Sequence, residues 1–232
     1  MNLLITGAGR GLGLVLAAEA LERGHYVLAG MRNPDQAGDA YHELERQFGE
    51  RLQAVQLDAS DEEGIASLAA EFARDGRTLG SIVNNAAVLE GQSSSIEELD
   101  FRDMEVSFDI NLYGPMRVVK HMLPLLQEPN ASVINISSEA GSLTNAYPGN
   151  YPYTISKTAL NMFTKKLSGV LKERGAIALS VHPGWMQTDM GGKNATLDPR
   201  ESARGIMDLI ERKIEPNSSF QFVDHVGREM EI

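Results

Sequence analysis

The strongest constraint on the fold is an alternation between short apolar runs and longer stretches with helical periodicity. The apolar runs are rich in Val, Ile and Leu and mostly lack polar alternation, which is typical of strands buried on both faces of a parallel sheet. Seven runs are predicted as strands: 3–6, 26–31, 52–58, 81–84, 132–137, 178–182 and 220–223. Helices are predicted at 12–23, 34–48, 61–74, 101–127, 153–174 and 199–213.

This pattern predicts an α/β fold: a doubly wound, mostly parallel seven-stranded sheet with helices on both faces, of the Rossmann type. The 232 residues, 42% of them hydrophobic, suit a single domain over 1–232. The irregular segments 141–150 and 191–198 each follow a predicted strand end. Because ligands bind beyond the carboxyl ends of strands in such sheets, both segments are candidate walls of a substrate pocket.

Composition and charge exclude several classes of function. The net charge of −11 disfavours binding to nucleic acid or to an anionic membrane. Cysteine is absent, which excludes disulfides and thiolate chemistry, and the five histidines lack the spacing of metal ligands, so no metal is expected. No apolar run is long enough to span a bilayer, and the chain does not begin like a signal peptide. A cytoplasmic protein is expected.

A glycine-rich turn, Thr-Gly-Ala-Gly-Arg-Gly-Leu-Gly from Thr6 to Gly13, links the first predicted strand to the first predicted helix. Gly7 allows the sharp turn, Gly11 lets the backbone approach a pyrophosphate, and Gly13 allows close packing of the helix on the sheet. The free N–H groups and the helix dipole favour phosphate at this position. The turn predicts dinucleotide binding, with a purely structural turn as the alternative.

The end of the second predicted strand indicates which dinucleotide is bound. An enzyme that prefers NAD places Asp or Glu there for the ribose 2′-hydroxyl, whereas this chain has Met31, Arg32 and Asn33. The guanidinium of Arg32 suits a 2′-phosphate, and Arg10 could add a second positive charge. NADP(H) is expected in preference to NAD(H), unless both arginines are ordinary surface charges.

Tyr153 and Lys157 lie four residues apart, which places a phenol and an ammonium on one helix face, one turn apart. An unperturbed phenol, with a pKa of ~10, is a poor acid–base catalyst at neutral pH. An ammonium at ~4 Å and an effective dielectric of ~20 supplies roughly the ~4 kcal/mol needed to lower that pKa to ~7. The pair indicates a tyrosine general acid, although this spacing also occurs by chance in many helices.

Ser138 ends a strand-like segment fifteen positions before Tyr153. Its hydroxyl could orient a carbonyl oxygen while Tyr153 approaches from the helix. Taken alone, Ser138 would be interpreted as a turn or cap serine.

The ordered set of motifs resembles the short-chain dehydrogenase/reductase family over nearly the whole chain. Each motif is modest, but their order is specific. The matching segments are the glycine-rich turn, Asp58, Asn84-Asn85-Ala86-Ala87, Asn111, Ile136-Ser137-Ser138, Tyr153 with Lys157, and His182-Pro183-Gly184-Trp185 followed by Thr188.

The resemblance implies catalytic roles for four residues. Tyr153 would protonate a carbonyl oxygen as hydride arrives from the nicotinamide, and Ser138 would polarise that carbonyl. Lys157 would lower the pKa of Tyr153 and bind the nicotinamide ribose. Asn111 would hold, through its backbone carbonyl, a water that relays protons to Lys157. The residues implied in cofactor binding are Gly7, Arg10, Gly11, Leu12, Gly13, Arg32, Asp58, Asn84, Ala86, Tyr153, Lys157, Pro183, Gly184 and Thr188.

Within that set the resemblance assigns different parts of the cofactor to different residues. Asp58 would bind the adenine, and Asn84 with Ala86 would support the middle of the cofactor. The residues implied at the nicotinamide end are Pro183, Gly184 and Thr188.

Two departures from the usual family pattern refine the resemblance. Ala87 stands where the family usually has Gly, and the separation of Ser138 and Tyr153 is longer than usual. Together with the His-Pro-Gly-Trp segment, these features resemble the C-factor/sniffer-like branch, whose members are NADPH-dependent carbonyl reductases, some of them linked to signalling. The implied reaction is hydride transfer between the nicotinamide and a small carbonyl or alcohol.

Two alternatives remain open from the sequence. The chain could be a non-catalytic NADP(H)-binding regulatory or signalling protein on the same fold. Tyr151 is a rival phenol, but it lies six positions from Lys157 and off its helical face.

The long predicted helices 101–127 and 153–174 resemble those through which the family pairs, so a homodimer or homotetramer is expected.

Overall fold

The computed structural model describes residues 1–92, 94–192 and 194–232. The strands are β1 (Asn2–Thr6), β2 (Tyr26–Met31), β3 (Leu52–Gln56), β4 (Ser81–Asn84), β5 (Ser132–Ile136), β6 (Ile177–His182) and β7 (Phe222–Asp224). The α-helices are α1 (Gly11–Glu22), α2 (Asp39–Phe48), α3 (Glu62–Arg74), α4 (Phe101–Phe108), α5 (Gly114–Met122), α6 (Tyr151–Lys172) and α7 (Pro199–Ile210).

The strands form one seven-stranded sheet in the order β3-β2-β1-β4-β5-β6-β7. Each pairing between neighbouring strands is parallel. The predicted doubly wound Rossmann-type fold is therefore confirmed. The order reverses between β1 and β4, and this switch point opens a crevice at the carboxyl ends of the strands.

The two faces of the sheet bury different sets of helices. On β1, Leu3 and Ile5 face a core shared with α1, α2 and α7, whereas Leu4 faces a second core with α3, α5 and α6. This alternation follows from the two-residue period of a strand. All three side chains are fully buried, so β1 is apolar on both faces between Asn2 at its amino end and Thr6 at its carboxyl end.

The predicted helix 101–127 is interrupted in the structure. A single π-helical turn over Asp109–Tyr113 separates α4 from α5, and a short 3-10 turn over Leu123–Leu125 ends the region. Pro115 has no N–H to donate to the carbonyl of Asn111, so the ordinary helical pattern cannot continue through this point. Such turns concentrate at functional sites, and this one contains Asn111.

Other differences in element bounds have local causes. The predicted helix 34–48 is a 3-10 turn followed by α2, because the extended backbone of Gly38 separates them. The last strand begins at Phe222 rather than at 220, because Gln221 adopts a left-handed conformation with φ of 58°. Helix α6 begins at Tyr151, two residues earlier than predicted, with Pro152 in its first turn.

No helix in the described ranges is long and apolar enough to cross a membrane.

Candidate active site

The glycine-rich turn connects β1 to α1 at the switch point. Gly7 and Gly11 have positive φ of 66° and 55°, which glycine adopts without strain. A Cβ on Gly13 would lie 2.3 Å from the carbonyl oxygen of Gly7, so only glycine allows this approach of helix to turn. A Cβ on Gly11 would meet nothing within 4 Å. The turn therefore faces open space at Gly11, beside the start of α1, where no side chain caps the first turn.

Hydrogen bonds join the carboxyl ends of β1 and β4 beneath this turn. The Thr6 hydroxyl oxygen accepts from the backbone N–H groups of Asn85 and Ala86, each at 3.0 Å. The Asn85 side-chain amide donates to the Thr6 carbonyl at 2.9 Å. Thr6 and Asn85 were not predicted as site residues, although both lie within the motifs that matched. They hold the floor of the crevice in place.

The Asn84 side chain is directed into the fold, toward β5. It is buried, and its amide donates to Asn135 Oδ1 on β5 at 2.8 Å. Asn135 in turn donates to the Thr164 hydroxyl on α6 at 2.8 Å. The Asn84 side chain thus connects the sheet to α6 through a buried polar chain, and Asn85 rather than Asn84 contacts the glycine-rich turn.

The predicted adenosine-end residues lie at the carboxyl ends of β2 and β3. Arg32 directly follows β2 and is exposed. The Asp58 carboxylate, just after β3, accepts from the Ser60 N–H at 2.9 Å and from the Ser60 hydroxyl at 2.7 Å. Arg10 forms an ion pair at 3.2 Å with Asp189, which belongs to the loop after β6. Both side chains of that pair are 82% exposed, so the pair is weak and open to exchange.

The predicted catalytic side chains converge at the carboxyl end of β5. Ser138 follows that strand, and its hydroxyl is near enough to the Tyr153 phenol on α6 to influence the phenol pKa. The Lys157 ammonium donates to the Ile136 carbonyl on β5 at 2.7 Å. It lies 5.5 Å from the centroid of the Tyr153 ring. Sequence spacing predicted the Tyr–Lys pair, and the fold brings Ser138 to it.

Burial controls the charge of this cluster. It raises the pKa of the Tyr153 phenol, and the neighbouring Ser138 hydroxyl offsets only part of that effect. Burial lowers the pKa of Lys157 to about 7. The sequence predicted that the Lys157 ammonium lowers the pKa of the Tyr153 phenol. In the structure of the chain by itself the pKa of this phenol is instead raised. Lys157 donates its hydrogen bond to a backbone carbonyl rather than to the phenol, and it loses much of its own charge near neutral pH.

The Asn111 side chain is buried in the π-helical turn and holds two neighbouring segments together. Its Oδ1 accepts from the Val88 N–H at 2.8 Å, and its Nδ2 donates to the Val88 carbonyl at 3.0 Å. The same Nδ2 donates to the Ser156 hydroxyl at 3.1 Å, and Ser156 donates to the Tyr153 carbonyl at 2.7 Å. Sequence reasoning missed Ser156, whose only signal was a polar residue immediately before Lys157.

The loop after β6 carries the remaining predicted residues. Pro183 is buried, and Gly184 has a φ of 86°. A Cβ on Gly184 would lie 2.4 Å from Leu197 Cδ2, so the loop folds tightly on itself. The Thr188 hydroxyl oxygen accepts from the Gly191 N–H at 3.3 Å. This loop includes the predicted wall 191–198, in which Lys193 lies outside the described residues.

The other predicted wall, 141–150, leads from the end of β5 into α6. Pro148 and Gly149, near its end, line a cavity of ≈ 450 Å³ together with Ile96 and Tyr151. Tyr151, the rival phenol, thus lines this cavity at the start of α6. Among the residues with assigned positions, no cluster of acidic side chains and histidines could hold a metal ion.

Comparisons with known proteins agree with this architecture. The family model described as short chain dehydrogenase matches residues 1–198. C-signal of Myxococcus xanthus is 40% identical over 151 residues, which cover 64% of this chain and 90% of that protein. Carbonyl reductase Sniffer of D. melanogaster superposes with a TM-score of 0.88 at 30% identity, covering 100% of this chain and 99% of that one. The NADPH-bound carbonyl reductase from chicken fatty liver gives 0.85 at 29% identity, covering 100% and 98%.

Proposed function

Because this chain belongs to the short chain dehydrogenase family, we propose that it is an NADP(H)-dependent carbonyl reductase acting on a small carbonyl or alcohol. Residues 1–232 would form one dinucleotide-binding oxidoreductase domain. The observation that carries the proposal is the convergence of Ser138, Tyr153 and Lys157 at the carboxyl end of β5. That end lies on the same edge of the parallel sheet as the glycine-rich turn.

The residues around the crevice fit a phosphorylated dinucleotide. The open space at Gly11 and the uncapped start of α1 suit a pyrophosphate. The exposed guanidinium of Arg32 suits a 2′-phosphate, and Asp58 would face the adenine. The likeness to an NADPH-bound carbonyl reductase supports the same choice. The remaining proposed binding residues are Gly7, Arg10, Leu12, Gly13, Asn84, Ala86, Pro183, Gly184 and Thr188.

The bound cofactor would supply the hydride that adds to the carbonyl carbon. As the C=O π electrons move to oxygen, the Tyr153 hydroxyl gives its proton to that oxygen. The raised pKa of the phenol keeps this proton in place before reaction. The Ser138 hydroxyl would donate a hydrogen bond to the same oxygen, and so orient it toward Tyr153.

Lys157 would restore the proton lost by Tyr153. Its pKa of about 7 lets the amine take up and release protons near neutral pH, where general acids and bases work best. Its ammonium form would also stabilise the phenolate left by the reaction. The carbonyl of Asn111, in the π-helical turn, would bind the water that links Lys157 to solvent.

The proposal is tested by mixing NADPH with a panel of quinones, aldehydes and α-diketones and following cofactor oxidation. Replacing Tyr153 by Phe is expected to lower turnover by about 10²–10⁴-fold, because it removes the proton donor, while NADPH affinity stays nearly unchanged. Tyr151→Phe, two residues earlier on the same helix, is the matched control and should keep most of its kcat. Unchanged turnover in Tyr153→Phe would refute the proton-donor role.

The likeness to C-signal of Myxococcus xanthus supports a second candidate. On this account the chain is an NADP(H)-binding signalling protein, and the bound nucleotide sets its conformation without turnover. Tight NADPH binding with no oxidation of cofactor by any panel member would favour this candidate. Turnover that depends on Tyr153 would favour the reductase.

A further inference from the structure

The hydrogen-bond ladder between β5 and β6 continues beyond the strands through a side chain. The Ser137 N–H donates to the Val181 carbonyl at 2.8 Å, as the parallel ladder requires. The next N–H on this side of the chain belongs to Glu139, and it donates to His182 Nδ1 at 3.1 Å. An imidazole nitrogen thus occupies the place of a backbone carbonyl, directly beyond the end of β5, the strand that Ser138 follows.

This contact determines the protonation state of the ring. A backbone N–H can only donate, so Nδ1 must present its lone pair, and a neutral His182 carries its hydrogen on Nε2. An imidazolium has hydrogens on both nitrogens. Protonation of His182 would place two donors against each other and break the contact with Glu139.

The contact acts on the peptide that joins Ser138 to Glu139. The carbonyl of that peptide accepts from the Gly141 N–H at 2.9 Å, and the Ser138 hydroxyl oxygen accepts from the Ala140 N–H at 3.1 Å. The first bond uses the carbonyl of this peptide, and the second spans the peptide, from the Ser138 side chain to the following N–H. If His182 releases Glu139, the turn that aims the Ser138 hydroxyl toward Tyr153 loses its tie to β6.

We infer that His182 is a positioning residue, whose unprotonated Nδ1 holds the Ser138–Glu139 peptide and with it the Ser138 hydroxyl. The inference rests on the proposed function for its effect on turnover, and on geometry alone for the contact itself. It predicts that acid releases the Ser138 turn before the fold is lost.

The surroundings of the ring keep it neutral at physiological pH. Burial lowers the pKa of His182, and His225, which follows β7, lowers it further. The carboxylates of Glu139 on one side and Asp224 on β7 act in the opposite direction and do not outweigh burial. The contact is therefore intact at neutral pH and is lost as the pH falls through the pKa of His182, which lies below the ordinary value for histidine.

Two variants distinguish the loss of the Nδ1 hydrogen-bond acceptor from the loss of the titrating imidazole ring of His182. His182→Ala removes the acceptor, whereas His182→Asn keeps an acceptor oxygen two bonds from Cβ, as Nδ1 is, but cannot titrate. His182→Ala is expected to lower kcat about tenfold, the effect of losing one hydrogen bond, with NADPH affinity unchanged within about twofold. His182→Asn should restore kcat at neutral pH and lose the acid decline that His182 causes.

Nuclear magnetic resonance tests the contact without any substrate. Between pH 8 and pH 5, the backbone amide signal of Glu139 should move with the titration of the His182 ring. In His182→Asn this movement should disappear, and in His225→Asn it should persist. The inference is overturned if the Glu139 amide signal does not move as the His182 ring titrates. It is also overturned if His182→Ala keeps the full kcat of the parent chain.

The failure of the proposed function gives a different result. No turnover on any panel member, with the Glu139 amide still following His182, would contradict the reductase and support the contact. Circular dichroism of each variant shows whether it is folded. If His182→Ala does not fold, the pH profile and the amide signals of His182→Asn decide the question.

Discussion

The buried amine of Lys157 is the most consequential single group in the crevice. It is 2% exposed, it donates to the Ile136 carbonyl, and burial lowers its pKa to about 7. The folded chain therefore resists protonating this amine, whereas the unfolded chain binds the proton up to pH 10.5. The contribution of Lys157 to the free energy of unfolding is most favourable above pH 10.5, where the amine is neutral in both states. It is least favourable below pH 7, where the folded chain must bury a charged ammonium. Stability should rise between these values.

Replacing Lys157 by Met tests both of its proposed roles. Turnover should fall by at least about 10²-fold and NADPH binding should weaken, because the amine serves Tyr153 and the nicotinamide ribose. Urea unfolding of the cofactor-free variant at pH 7 and pH 9 should show a smaller rise in stability than the parent chain. Intact NADPH affinity would argue against the ribose contact.

Arg32 is expected to decide between the two dinucleotides. Its exposed guanidinium follows β2, and its chain neighbours Met31 and Asn33 are not acidic. Arg32→Asp should weaken NADPH binding about 10–100-fold, because a charge-assisted contact to the 2′-phosphate is replaced by repulsion. NADH affinity should change much less. Titration with both cofactors measures the difference, and equal losses would show that Arg32 does not touch the 2′-phosphate.

At the level of single residues, the sequence predicted identities better than orientations. Tyr153 and Lys157 follow from spacing on one helix, and Ser138 from the family pattern. The inward direction of Asn84 and the high pKa of Tyr153 could not be predicted, because both depend on neighbours supplied by other elements. Asn84 contacts Asn135 on β5, fifty-one positions away, and the phenol is buried by the tertiary fold.

Helix α1 owes its position to the absence of a side chain at Gly13. Gly13→Ala would place a Cβ within 2.3 Å of the Gly7 carbonyl oxygen, which is backbone and cannot move aside. The variant should lose about 1–3 kcal/mol of unfolding free energy, typical of overpacking, and bind NADPH more weakly.

Gly169 provides the matched control for that substitution. It lies within α6, and a Cβ there would meet nothing within 4 Å. Gly169→Ala should raise the unfolding free energy by about 0.5–1 kcal/mol through helix propensity. Denaturant unfolding of both variants measures the contrast, and equal effects would contradict the close approach at Gly13.

Strands and helices could be predicted where the hydrophobic periodicity of the sequence is strong. They were less predictable where the backbone departs from regular geometry, as at the π-helical turn. All seven strands were predicted in order, because buried parallel strands are nearly continuous apolar runs. The region 101–127 was predicted as one helix because its periodicity continues through the break. Pro115 is the sequence feature that indicates a break in this helix. The π-helical turn around Asn111 also depends on contacts with Val88 and Ser156.

The surface of the whole molecule supports assembly into a homodimer or homotetramer. On α6, Ile155, Met162 and Val170 repeat at helical spacing and are 44%, 61% and 49% exposed. Phe101, at the start of α4, is 73% exposed. Helices α4 and α6 pack together, so these exposed apolar residues lie on neighbouring helices. Such apolar helical faces are typical of subunit interfaces.

Light scattering after size-exclusion chromatography measures the assembly directly. We expect a dimer or tetramer for the parent chain, and a shift toward monomer for Met162→Glu, because a carboxylate would be buried at the interface. Tyr26→Ser, an exposed aromatic at the start of β2, should leave the assembly unchanged. A monomeric parent chain at micromolar concentration would contradict the expectation.

The strand order also governs how the chain reaches its native state. β1 is the earliest strand in the sequence and occupies an interior place in the sheet, yet its partner β4 begins only at Ser81. Until that distant segment arrives, one flank of β1 presents unpaired N–H and C=O groups along an apolar strand. Because each pairing in this parallel sheet joins segments that are distant in sequence, we expect slow refolding. We also expect the partly folded chain to self-associate in a concentration-dependent way.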